Sequence, residues 1–259
     1  MIITTAGRTS IDLISKAKRL ASSFGLSYKD RKGVSVDRLK EIYHDDIAIV
    51  GKDRLVISTL ANETNLFFHP NLAMIRAKRI FKGEEEPFIK SARLTEGMSV
   101  LDCTLGLASD SIIASIAVGE SGSVTGIEGN HTLYFLAKEG LSSFSSGHKL
   151  FDEAMRKVKV IHQEHFTYLQ QAKSDSIDVI YFDPMFESAI ENSDGINAIR
   201  KQVLTTEITP AVIAEAKRVA KQRIILKDHW KSERFDKLGF IQHKRKTSLF
   251  HYGTIEINV

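Results

Sequence analysis

The chain has 259 residues, 42% hydrophobic and 26% charged, with a net charge of +4; this is the balance of a soluble globular protein with a substantial core, and no apolar run reaches the ~18 residues of a membrane span. Its one cysteine, Cys103, excludes an intrachain disulfide and an all-cysteine metal cluster. The amino terminus lacks the pattern of a secretory signal, so a cytoplasmic location is expected.

In chain order, IITTA reads as a short strand and SIDLISKAKRLASSFG as a helix. VSVDRLKEIYHDD follows, and then the alternating IAIVGKDRLVIST, a hairpin turning at Gly51-Lys52-Asp53. HPNLAMIRAKRIFKG is apolar at helical spacing, with Arg76, Lys78, Arg79 and Lys82 interleaved. Composition changes abruptly at KGEEEPF, residues 82 to 88, which places a lobe boundary there: residues 1–88 form a small mixed α/β amino-terminal lobe and residues 89–259 the main domain. Charge is uneven between the two ends of the chain. Residues 1–95 hold 17 Lys and Arg against 11 Asp and Glu, whereas residues 96–259 hold 19 against 21. A basic lobe on a near-neutral body fits a protein that meets nucleic acid, although a solvated charged surface gives the same count.

From residue 97 the pattern becomes regular. SVLDCTL, SVTGIE, VKVIH, IDVIYFD and RIILKD are short β-branched runs of the kind buried in a parallel sheet. Helical stretches lie between them: DSIIASIAVGE, NHTLYFLAKEGLSSF, a piece near HFTYLQQAK, and ITPAVIAEAKRVAKQ. This alternation predicts an α/β fold, a Rossmann-like, doubly wound, mostly parallel sheet. The tail, GFIQHKRKTSLFHYGTIEINV, supplies an antiparallel pair closing one edge.

Such a sheet binds ligands outside the carboxyl ends of its strands. The first of these strands ends LDCTLGLASD, where Gly106 lets backbone approach a ligand and Ala108 occupies the place of a second glycine. Twenty-two residues after Gly106, Glu128 ends the second strand, placed to grip a ribose or to cap the helix starting near Asn130. Glu164 and His165 follow the third strand. His162 and His165 form a His-x-x-His pair with no further ligand at recognisable spacing, so no metal is expected. The fourth strand ends in DPMF: Asp183 and the Pro184 carbonyl are acceptors for an exocyclic amine, and Phe186 can stack on a flat base or fill core.

Together LDCTLGLASD, TGIEGN and YFDPMF resemble the class I S-adenosylmethionine (SAM)-dependent methyltransferases, over roughly residues 90 to 259, and within them the RsmJ-like family that methylates guanine N2 in small-subunit ribosomal RNA. Asp102, Thr104, Gly106, Leu107 and Asp110 match the family's turn, Ala108 replaces a glycine, and Glu187 stands where the family has proline. The resemblance implies cofactor contacts at Asp102, Thr104, Gly106, Ser109, Asp110, Glu128, Gly129, Glu164, His165 and Asp183. It implies catalytic roles for Asp183, Pro184 and Phe186, and RNA, in naked or ribosomal form, as partner. The residues leave open a methyltransferase of a small molecule or a protein, a nicotinamide-dependent oxidoreductase, and a catalytically silent RNA-binding relative.

Overall fold

A computed structural model describes residues 1–61, 65–184, 207–246 and 248–257. The chain opens with β1 (Ile2–Thr5), α1 (Ile11–Ser23), β2 (Ser27–Tyr28), α2 (Val36–Tyr43), β3 (Ile47–Val50), β4 (Leu55–Ser58) and β5 (Leu66–Phe67). Ser10 starts α1 by accepting from the Leu13 amide, and Gly25, at φ 64°, turns the chain out of it. The five strands form one sheet in the order β2-β1-β3-β4-β5, in which β3 and β4 are the expected hairpin, closed by a bond from the Gly51 amide to the Arg54 carbonyl.

Two helices lead into the larger sheet, α3 (Asn71–Ile80) and α4 (Pro87–Ala92). That sheet is built from β6 (Ser99–Asp102), β7 (Ser123–Glu128), β8 (Lys159–His162), β9 (Ile177–Phe182), β10 (Ala220–His229), β11 (Ile241–His243) and β12 (Phe250–Glu256). The strand order is β11-β12-β10-β9-β6-β7-β8; β12 runs antiparallel to both β10 and β11, and the pairs from β10 to β8 are parallel. The connecting helices are α5 (Ser109–Val118), α6 (His131–Ser143), α7 (Lys149–Lys157), α8 (His165–Gln171), α9 (Pro210–Val219) and α10 (Arg234–Lys237). The amphipathic stretch KLFDEAMRK, which forms α7, is a helix that the alternation of apolar runs did not single out. The expected last helix is shorter than its pattern: α9 stops at Val219, and β10 begins at Ala220.

The strand pattern explains why the sheet is covered on both faces. Along β9, Val179 and Tyr181 enter one core with Phe88, Ile112 and Tyr252, while Ile180 and Phe182 enter the other with Val212, Ile213 and Phe235. A third core joins the amino-terminal sheet to the rest, because Ile3, Ala48 and Ile57 pack with Phe135 and Leu136 of α6. On α6, backbone and a ring of the first core come close enough to require a glycine: a Cβ on Gly140 would lie 2.0 Å from the Phe68 ring. The expected basic face of α3 is altered by ion pairs. Arg76 points inward, with its side chain 14% exposed, and Arg79 pairs with Glu84, leaving Lys78 and Lys82 exposed.

Candidate cofactor and methyl-transfer site

The carboxyl ends of β6, β7, β8 and β9 lie side by side, with Asp102 opposite Gly126 and Tyr181, and Glu128 opposite His162. The turn after β6 is built by its own polar residues. Asp102 Oδ1 accepts from the Thr104 amide (3.0 Å) and Oδ2 from Ser111 Oγ (2.6 Å). Burial pushes the Asp102 carboxyl up, to about 6. Thr104 Oγ1 in turn accepts from the Asp183 amide at 2.6 Å, tying the β6 turn to the exit of β9.

Gly106 takes a left-handed φ of 53°, and so does Ala108, at 65°, where glycine is the usual occupant. That turn is closed by Glu128. Its Oε2 accepts from the Gly106 amide (2.9 Å) and its Oε1 from the Asn130 amide (2.8 Å), so one carboxylate links the turns after β6 and β7. Burial raises its pKa against the pull of those amides.

Beyond β8, Glu164 caps α8 through Oε2, which accepts from the Thr167 amide (3.0 Å), and His165 is buried with its ring edge-on to Phe182. Burial lowers the His165 pKa, which favours the neutral imidazole. His162 takes a different course: its ring is exposed and stacks on Tyr134.

Among the described residues, three buried polar atoms on this edge have no hydrogen-bond partner: Ser109 Oγ, Glu164 Oε1 and His165 Nε2. An unmet buried polar group costs ~1–3 kcal/mol, so the cluster suits a ligand carrying both donors and acceptors. SAM carries amine, carboxylate, hydroxyl and adenine groups of both kinds, and the residues present fit it.

At the far side of the edge lies a chain of buried charges. Asp110 is 6% exposed, and both of its oxygens are engaged: Oδ1 with Arg76 (2.5 Å), Oδ2 with the Tyr181 hydroxyl (2.9 Å) and Lys227 Nζ (3.1 Å). Lys227 also reaches Asp183 Oδ2 at 2.5 Å, and Arg76 also reaches Glu86 Oε1 at 2.7 Å. Burial opposes the charge on Asp110, but Lys227 and Arg76 outweigh it and hold this carboxyl well below the usual range. Burial likewise opposes the charge on Lys227, and Asp110 and Asp183 outweigh it. Asp183 is pushed up, to about 7, by burial and by Asp110 against the pull of Lys227. Between the two carboxylates that share Lys227, Asp183 is the one held nearer to its proton.

The sequence-derived residues Asp102, Thr104, Gly106, Ser109, Asp110, Glu128, Gly129, Glu164, His165, Asp183 and Pro184 therefore all lie on or beside one edge of the sheet. Phe186 lies outside the described residues. Lys227, Arg76 and Tyr181 were not foreseen at this site. A signal for Lys227 was present, since a lysine interrupting the buried run RIILKD needs a charged partner.

Comparison with known proteins places this architecture. Residues 39–250 match a family model described as "Putative SAM-dependent methyltransferase". The Bacillus subtilis protein "Uncharacterized protein YpiP" is 46% identical over 98% of this chain and 99% of its own length. A second relative, "Ribosomal RNA small subunit methyltransferase J" of Acinetobacter baylyi, is 30% identical over 105 residues, 40% of this chain and 37% of that protein. Among solved structures, a SAM-dependent methyltransferase from Neisseria gonorrhoeae superposes with a TM-score of 0.62 at 14% identity, covering 100% of this chain and 96% of the other, which is a likeness of fold. With a sheet in class I order and an RsmJ-like series of strand ends, the chain belongs to the SAM-dependent methyltransferase family, and its cofactor is SAM.

Proposed function

We propose that this methyltransferase acts on an exocyclic amine of a nucleic-acid base, with guanine N2 in ribosomal RNA as the target. The observation that carries the reading is the exit of β9, where the Asp183 carboxylate, followed by Pro184, is fixed by Thr104 through its amide and by Lys227 through Oδ2. A carboxylate and a carbonyl in succession form an acceptor pair for a planar amine. The 105-residue similarity to a protein named for ribosomal RNA methylation supports the same target.

SAM supplies a methyl group activated by its sulfonium. Ser109, Glu128 with Gly129, Glu164 and His165 hold this cofactor, beside the backbone of Gly106. Asp110 acts indirectly in this reading, since its oxygens are spent on Arg76, Tyr181 and Lys227. Asp183 accepts a hydrogen bond from the target amine, whose lone pair is otherwise delocalised into the ring. With a pKa near neutrality, the carboxylate is also matched to receive the proton that nitrogen releases on methylation. Lys227 keeps that carboxylate oriented. Phe186, two residues after Pro184, supplies a ring on which the unstacked base rests. Residues 89–259 form the catalytic domain, and residues 1–88 a lobe that helps to recognise the substrate.

The test is transfer of labelled methyl from SAM to total RNA and ribosomal subunits from cells lacking the gene. Label in guanine of the RNA supports the reading; label confined to protein or to small metabolites overturns it.

A further inference from the structure

The exit of β10 lies beside Asp183, because Lys227 on that strand touches Asp183. Three residues later, on the order of 10 Å along the strand, comes Trp230. This indole is 44% exposed, with the Lys231 ammonium 4.9 Å from its ring centroid. The β11–β12 turn reaches the same end of the sheet. β12 runs antiparallel to β10 with Phe250 opposite His229, and β11 ends at His243 opposite Tyr252. The two segments are joined directly: the Trp230 amide donates to the Leu249 carbonyl (3.0 Å), and Gln242 Nε2 donates to the Trp230 carbonyl (2.8 Å).

That turn carries Lys244, Arg245 and Lys246, all exposed. No Asp or Glu occurs from residue 239 to residue 255. Among the described residues, neither Lys231 nor these three forms an ion pair, and the nearby Asp228 is engaged by Arg234 and Ser232. An exposed aromatic ring with one ammonium beside it and a basic turn hydrogen-bonded to its segment joins the two elements of single-strand recognition, a face for stacking and charge for phosphates. Duplex does not fit, because its bases are stacked on one another and offer the ring no face.

We propose that Trp230, Lys231 and the Lys244–Lys246 turn form the surface that holds single-stranded nucleic acid next to the target base, with Trp230 stacking on a neighbouring base. The proposal rests on the nucleic-acid reading above. It also moves the main phosphate contacts from α3, where Arg76 and Arg79 are already paired, to the catalytic end of the sheet.

Trp230 is the sole tryptophan, so its emission reports on this surface alone. A single-stranded oligoribonucleotide is titrated into the full-length protein, followed by tryptophan emission and by anisotropy of a label on the RNA, in parallel with methyl transfer to RNA. Quenching is expected. Trp230→Ala should weaken RNA binding roughly 5- to 150-fold, with Trp230→Phe recovering most of it. Lys231→Glu with Lys244→Glu should lower the salt dependence by about 1.4 in log–log slope, while SAM binding, measured on each variant, stays unchanged and certifies the fold. Methyl transfer to RNA with no quenching and with variants that bind normally overturns the surface and leaves the target reading intact. Quenching without any methyl transfer to RNA overturns the target reading and leaves the surface. A shift of Trp230 emission with phosphatidylserine vesicles but none with RNA overturns the surface in favour of a membrane contact.

Discussion

Lys227 joins Asp183 to Asp110: one ammonium stands 2.5 Å from the first carboxylate and 3.1 Å from the second. Remove it, and what remains acting on Asp183 is burial, Asp110 and Asp102, all of which raise its pKa. Since Asp183 accepts from the amine only when ionised, wild-type methyl transfer should fall as pH drops through about 7. In Lys227→Met the fall should begin at higher pH. The variant should also lose stability, by ~3–5 kcal/mol, because a buried pair is broken and its partner left behind. A pH–rate profile identical to wild type, on protein shown folded by its melting curve, would assign Lys227 a purely structural part.

Glu128→Ala should weaken SAM binding. Loss of a hydrogen-bonding charged group costs ~1.5–3 kcal/mol, or roughly 10- to 150-fold in Kd. The same variant frees the Gly106 and Asn130 amides, so its melting temperature should also drop. Calorimetry returning an unchanged Kd would place the cofactor's hydroxyls elsewhere.

Asp102 gives a stability prediction with a definite sign. Its pKa rises from the ordinary carboxylate value to about 6 on folding, through burial. Its contribution is therefore fully present below about pH 4 and lost as pH rises through about 6, a change of about 3 kcal/mol. Asp102→Asn keeps the shape and removes the titration, so the variant should lose less stability than wild type between those two pH values. Parallel denaturation curves at both pH values check this, and equal losses would rule it out.

Gly140→Ala tests how the amino-terminal lobe is seated. The added Cβ would lie 2.0 Å from Phe68, whose ring must move. Overpacking of this kind costs ~1–3 kcal/mol. A melting temperature equal to wild type would show that Phe68 is free to shift.

Much of the larger sheet was legible because its strands are buried on both faces and so read as unbroken apolar runs, IDVIYF above all. The helix α7 was not, since its pattern lies between strands whose spacing already permitted a loop. The strand ends gave Gly106, Glu128, Glu164 and Asp183, because a single chain direction sets which residues face the crevice, whereas Asp102 came from the family resemblance. The charge chain through Arg76 and Lys227 was harder to see. Its members lie 34 and 117 residues from Asp110, and no local pattern specifies which distant cation a buried carboxylate will meet. Arg76 read as part of a basic face because helical spacing alone does not tell a solvated arginine from one turned toward Glu86 and Asp110.

The central claim is that Asp183 presents a base amine for methylation, and nucleoside analysis of small-subunit ribosomal RNA tests it most directly. Cells lacking the gene are complemented with wild type or with Asp183→Ala, the latter confirmed to accumulate and to bind SAM. The account predicts an N2-methylguanosine level that falls on deletion, returns with wild type and stays low with Asp183→Ala. A nucleoside profile identical in all three strains would contradict it.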